Sequence, residues 1–288
     1  MANALTQILG QSDSVADAVL TACRLEATAS KAGNVHPNAS FADLCYDDFL
    51  AAAQIASECF ADVSASVARR TLSAVTRTSK TIRTNVNLGI LLLLTPLIKA
   101  SECETFSSLD AWQPAVARAL RELTPDDSSD LMRAIQVAGA GGLGSVDEMD
   151  VHQFKAEQTV DIVAAMRLAK THDRIARQYA NGFEDFFTNV VPIVHSTLAN
   201  HMDPHAAIAD AHLLLLAADV DTLIQRKNGI EVAKEVQRRA QQIDLSDSNS
   251  RDDFDAFLRS QSNRLNPGTT ADLIAAALFV LLRTGISR

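Results

Sequence analysis

Apolar residues recur along this chain at intervals of three and four, the period of an amphipathic helix, and no stretch alternates cleanly as a strand would. The pattern predicts helices over roughly 13–30, 46–67, 68–80, 86–100, 110–123, 127–138, 157–181, 183–201, 205–219, 229–243, 251–262 and 270–284. The stretches 31–43, 139–155, 220–228, 244–250 and 263–269 read as irregular. Two runs, Leu88–Ile98 and Leu273–Leu282, are apolar on every side, which predicts helices buried all round. Both fall short of the ~20 residues that a membrane span needs. No Pro/Gly/Ser-rich linker and no internal repeat interrupts the pattern. The expectation is one all-α domain over 1–288, built from about a dozen helices.

Composition sharpens this picture. Only 11 of the 288 residues are Gly and 7 are Pro, which excludes a collagen-like chain and argues against a loop-rich β-protein. Hydrophobic residues make up 47% but aromatics only 5%, so Ala, Leu, Val and Ile dominate, a mix that favours helix. The net charge of −9 argues against nucleic acid as the main partner. It leaves room for a phosphorylated small molecule, met by local Lys and Arg or by Mg²⁺. Cys23, Cys45, Cys59 and Cys103 include no C-x-x-C pair and read as reduced thiols, and the first basic residue is Arg24, so no secretory leader is expected. The expected location is the cytoplasm, with no membrane partner.

Polar residues set against this apolar background mark the candidate chemistry. Val15, Val19, Ala22 and Glu26 form one helical stripe, so Glu26 either ends the stripe in water or projects into a polar cleft. Lys31, Asn34 and His36 follow in a loop that Gly33 bends and Pro37 keeps out of helix, a grouping suited to a phosphate or a sugar. Asn85 can cap the helix after it, whereas Asn87 would sit inside the first turn, where a ligand contact is the alternative. Residues 139–150 carry four glycines before Asp147, Glu148 and Asp150. They form either a solvated loop or a phosphate nest with Mg²⁺ between Asp147 and Asp150. Asp219 and Asp221 follow a helix end, where acids oppose the dipole, and precede Arg226 and Lys227, which suggests a metal–phosphate site. Asn266-Pro267-Gly268-Thr269-Thr270 reads as a turn and cap, placing Asp272 in the first turn of the last helix. His201, His205 and His212 suggest zinc, but Pro204 breaks the spacing. His172-Asp173 suggests a helical phosphohydrolase, with Asp221 as a distant acid, but it lies in a solvated polar stretch.

Taken in order, these segments resemble the family of triphosphoribosyl-dephospho-CoA synthases, over about residues 14–284. Glu26 with Lys31-Ala32-Gly33-Asn34-Val35 resembles the family's E…K-P-G-x-V, and Asn85-Val86-Asn87-Leu88-Gly89 its N-T-H-K-G. Asp221-Thr222 with Arg226 and Gly229 is similar to D-T-N…R-G-G, and Leu265 to Leu273 to L-S-P-G-G-S-A-D-L. Asn87-Leu88 in place of His-Lys, and Ala32 in place of Pro, set the chain in a divergent branch.

The resemblance implies transfer of the triphosphoribosyl group of ATP to the ribose 2-hydroxyl of 3′-dephospho-CoA, with release of adenine, in prosthetic-group biosynthesis. By the same resemblance, Glu26, Asp219 and Asp221 hold Mg²⁺ or steady the cationic ribosyl centre, with Asp147 and Asp150 as a second metal pair. Lys31, Arg226 and Lys227 face phosphates. Gly33, Asn34, His36, Asn85, Asn87 and Asn266 line the substrate site, and Pro267, Gly268 and Thr269 offer backbone and hydroxyl contacts. Asp272 is a base or a supporting acid. The alternatives are ribosyl transfer to a pterin-type acceptor, a Mg²⁺-dependent nucleotide hydrolase, and a helical protein that binds a nucleotide without turning it over. A homodimer is a further expectation.

Overall fold

The computed structural model describes residues 2–9, 12–82, 84, 86–139 and 161–285. Among them it has fifteen α-helices and no strand, only two isolated bridges. In order these are α1 (Ala4–Ile8), α2 (Val15–Thr28), α3 (Tyr46–Phe60), α4 (Val67–Ile82), α5 (Leu88–Cys103), α6 (Trp112–Arg121), α7 (Pro125–Val137) and α8 (Ile162–Ala169). They continue as α9 (Arg174–Asn181), α10 (Val191–Asn200), α11 (Pro204–Ala218), α12 (Thr222–Asn228), α13 (Ile230–Ala240), α14 (Ser248–Arg259) and α15 (Gly268–Arg283). None is long and apolar enough to cross a membrane.

The two all-apolar runs become the heart of the molecule. Every residue of α15 from Leu273 to Arg283 is buried, and the helix packs against α2, α5, α9, α10, α11 and α12. A helix with no polar face has no stable place but the middle of others. The other run, α5, continues through Pro96, which has no N–H for the Leu92 carbonyl. The buried Tyr179 hydroxyl donates to that carbonyl at 2.7 Å, so Pro96 leaves no acceptor unpaired. A smaller apolar cluster joins the end of α11 to α12, α13 and α14, and α11 contributes to both clusters.

Three departures from the sequence pattern matter for function. The predicted helix 157–181 is two helices, because Asp173 accepts from the N–H groups of Ile175 and Ala176 and starts α9 afresh. The predicted helix 183–201 begins as a π-helical turn, Phe186–Val190. Residues 220–228, read as irregular, contain α12, which Asp221 caps through Leu223 and Ile224. Asp221 therefore favours the dipole of the helix it begins. Asp219 does end α11, and there it pairs with Arg174 and Arg177.

Candidate active site

The starts of α5, α9 and α15, the ends of α2 and α12, and two loops line a cleft of about 560 Å³. Glu26 reaches it from α2 and Asn34 from the loop after it. Asn87 and Gly89 open α5, Asp173 caps α9, and Arg226 and Lys227 end α12. Asn266, Gly268, Thr269 and Asp272 come from the start of α15, so each of the four segments singled out in the sequence reaches this one cleft.

Hydrogen bonds stitch these starts together. The Arg174 N–H donates to Thr222 Oγ1 at 3.1 Å, and the Thr222 hydroxyl donates to Thr269 Oγ1 at 3.2 Å. Thr270 donates to Asp221 Oδ2 from both its N–H and its hydroxyl, each at 2.8 Å. The Asn34 amide donates to Asn266 Oδ1 at 2.6 Å. Helix α14 clamps the first loop, since Asp255 accepts from the Gly33 N–H at 2.7 Å and Arg259 donates to the Asn34 carbonyl at 2.7 Å. Gly33 has φ of +73°, and a β-carbon there would stand 2.8 Å from Leu258 Cβ, so only glycine fits. At Gly89 a β-carbon would stand 2.0 Å from Asp272 Oδ2; the missing side chain is what lets Asp272 lie against α5.

Acids and cations both line the cleft. Burial, reinforced by the charges of Glu26, Asp221 and Asp173, pushes the Asp272 carboxyl well above the usual carboxylate range, and Arg226 offsets part of the push. Glu26 is almost fully buried and pairs at 2.9 Å with Lys31. Asp173 lies 3.7 Å from Arg226. Arg226, Lys227 and Arg264 form the cationic group. Burial and then Arg226 lower the Lys227 ammonium, while Asp221 and Asp43 partly restore it. Arg264 is set by bonds to Asn228 Oδ1 at 3.0 Å and the Lys227 carbonyl at 2.9 Å. Its loop turns through Ser262 and Asn263, both with left-handed backbone. Phe41, Leu44 and Phe49 add an apolar surface. Two buried atoms on lining residues, Asn34 Oδ1 and Asn87 Nδ2, have no hydrogen-bond partner.

Not every residue singled out in the sequence reaches the cleft. Lys31 is fully buried beside Glu26, so it cannot meet phosphates. Asp221 spends both oxygens on four donors of the chain, and burial raises its carboxyl in spite of them. Asp219 is held by Arg174 and Arg177. Neither is therefore among the carboxylates facing a substrate. Gly33, His36 and Pro267 are not among the residues lining the cavity, and His36 Nδ1 accepts from the Asn38 N–H at 3.4 Å. Asn85, Asp147 and Asp150 lie outside the described residues. Of the three histidines, His201 pairs with Asp210 at 3.0 Å, His205 is half-buried beside Asp203, and His212 is fully buried. Among the described residues no three His, Cys, Asp or Glu side chains gather as a metal-binding group. The sequence reading set Asp173 aside as part of a solvated polar stretch, whereas it lines the cleft, and it missed Asp43, Phe41 and Arg264. Asp173 carried a signal, the His172-Asp173 pair; Arg264 in its loop carried none.

Comparison with known proteins follows the same lines. None of the curated proteins matches this chain. A crystal structure from Archaeoglobus fulgidus, of a provisionally named triphosphoribosyl-dephospho-CoA synthase, aligns with a TM-score of 0.63 at 24% identity, covering 81% of this chain and 98% of that one. At that identity the likeness is one of fold. The family model CitG, ATP:dephospho-CoA triphosphoribosyl transferase, matches residues 12–287.

Proposed function

Because the chain belongs to the ATP:dephospho-CoA triphosphoribosyl transferase family, we propose that the cleft between α2, α5, α9, α12 and α15 is where that transfer takes place. The enzyme moves the triphosphoribosyl group of ATP to dephospho-CoA, in cofactor biosynthesis. The bond between adenine and ribose C1′ breaks with its electron pair going to the base. The new bond joins C1′ to a ribose hydroxyl oxygen of the acceptor, and that hydroxyl loses its proton. The transition state carries positive charge at C1′. Such a site needs an acid for the departing base, a carboxylate near the sugar, and cations for the triphosphate.

The observation that carries the assignment is the position of Asp272. It lies in a wall shared with Glu26 and Asp173, is pushed to hold its proton, and is opposed by Arg226. We assign it as the acid that protonates adenine as it leaves. Glu26, beside Lys31, is the carboxylate that steadies C1′ and takes the acceptor proton. Solvent exchange then returns each carboxyl to its starting state. Arg226, Lys227 and Arg264 take the triphosphate, and Phe41 and Phe49 offer flat faces to a base.

Mg²⁺ suits this donor set. It is typically held by one or two carboxylates together with phosphate oxygens and water, and Glu26 and Asp173 are two carboxylates on one cleft. Bound there, Mg²⁺ would neutralise triphosphate charge.

The test is Asp272→Asn, assayed for adenine release from ATP in the presence of dephospho-CoA. The expected result is a kcat lower by roughly 10²–10⁴-fold with the KM for ATP nearly unchanged. A variant that releases adenine at the wild-type rate would remove Asp272 from the chemistry.

A further inference from the structure

Lys31 is an expensive residue where it stands. Its side chain is fully buried, and burying an ammonium is unfavourable unless a partner and hydrogen bonds compensate. Its nitrogen is 2.9 Å from Glu26 Oε1, and it also donates to the main-chain carbonyls of Glu26 and Ala29. No other acid pairs with it among the described residues. His212 of α11 is fully buried nearby, with neither ring nitrogen hydrogen-bonded. Burial and then the Lys31 charge hold that ring neutral, so it gives Lys31 no counter-charge. One end of this arrangement is sealed in the core. The other is Glu26, which lines the cleft.

If the site needed only filled space at position 31, an apolar side chain would serve better than a buried ion pair. If it needed only a cap for the last carbonyls of α2, a neutral donor would serve. Neither need explains an ammonium set on a carboxylate that faces the cavity. We propose that Lys31 is a positioning residue: it holds the Glu26 carboxylate in its orientation from behind and never touches substrate. This rests on the reading of Glu26 as the carboxylate that acts at C1′.

Two variants separate the capping role from the charge. Lys31→Met removes both the donor and the charge. Lys31→Gln keeps N–H donors for the carbonyls of Glu26 and Ala29 but carries no charge, and it provides the measurement if the methionine variant does not fold. Each is compared with Glu26→Gln and with the Lys31→Gln/Glu26→Gln pair for adenine release, with kcat taken per folded molecule and KM for ATP measured alongside. The expected result is a kcat lower on the order of a hundredfold in the Lys31 variants, with KM within about threefold. The pair should be no slower than Glu26→Gln alone, since Lys31 acts only through Glu26. Wild-type kcat in Lys31→Gln, with Glu26→Gln slow, would overturn the proposal and leave the role of Glu26 standing. So would a pair slowed by the product of the two single effects. A fast Glu26→Gln would instead overturn the role of Glu26 itself.

Discussion

At Asp272 the cleft's chemistry and the stability of the chain pull against each other. An aspartate in an unfolded chain ionises near pH 4, whereas Asp272 in the folded protein keeps its proton to higher pH. Between those limits the unfolded chain has already released its proton, so each rise in pH favours unfolding. Asp185 has the opposite sign. Against the upward push of burial, Arg174, Asn189, Gln178 and Arg177 hold it down to about 2, so its contribution is lost as the medium becomes acidic. Comparing wild type with Asp272→Asn isolates the first effect. From pH 5 to pH 8 the melting temperature of the variant should rise relative to wild type. A difference that stays constant with pH would mean that Asp272 ionises normally. Glu26 was legible in the sequence as an acid on an apolar stripe. The raised carboxyl of Asp272 was not, because it depends on burial and then on Glu26, Asp221 and Asp173, which the fold alone brings near. Lys31 was misread for a related reason. A lysine in a Gly-containing loop looks like a phosphate ligand, and only burial shows that it serves a carboxylate.

Among the elements, α12 is one that the sequence pattern hid, and it explains Asp221. It is seven residues long, too short for its periodicity to stand out between α11 and α13. Its cap ties it to the first turn of α15 through Thr270, so Asp221 sets the two helix starts that bring Arg226 and Asp272 to the cleft. The resemblance implies that Asp221 holds Mg²⁺ or steadies the ribosyl centre; its four donors within the chain point instead to a structural role. Asp221→Ala should cost about 3 kcal/mol of stability, from a lost cap and two unsatisfied Thr270 donors. The folded fraction at low temperature should keep a kcat within severalfold of wild type. A variant with unchanged melting temperature and no adenine release would return Asp221 to the chemistry. The apolar helices α5 and α15 were legible as runs apolar on every side. Their close approach was not, because the space a side chain at Gly89 would take from Asp272 appears only when both helices are in place.

Across the whole molecule, the fold brings together residues spaced over most of the chain, from Glu26 to Asp272. The order of the four segments was readable, and their family resemblance agrees with the matched range 12–287. Which side chains face inward was only partly readable. Here the wall of the cleft is built from helix starts, helix ends and loops, and their placement is set by partners distant in sequence. The most direct measurement is therefore made on the intact wild-type enzyme, incubated with ATP and Mg²⁺, with and without dephospho-CoA, and followed by chromatography with mass detection. Adenine released only when dephospho-CoA is present, together with a product heavier by one triphosphoribosyl group, is the predicted result. Adenine released equally without the acceptor, leaving free triphosphoribose and unaltered dephospho-CoA, would contradict it and make the cleft that of a hydrolase.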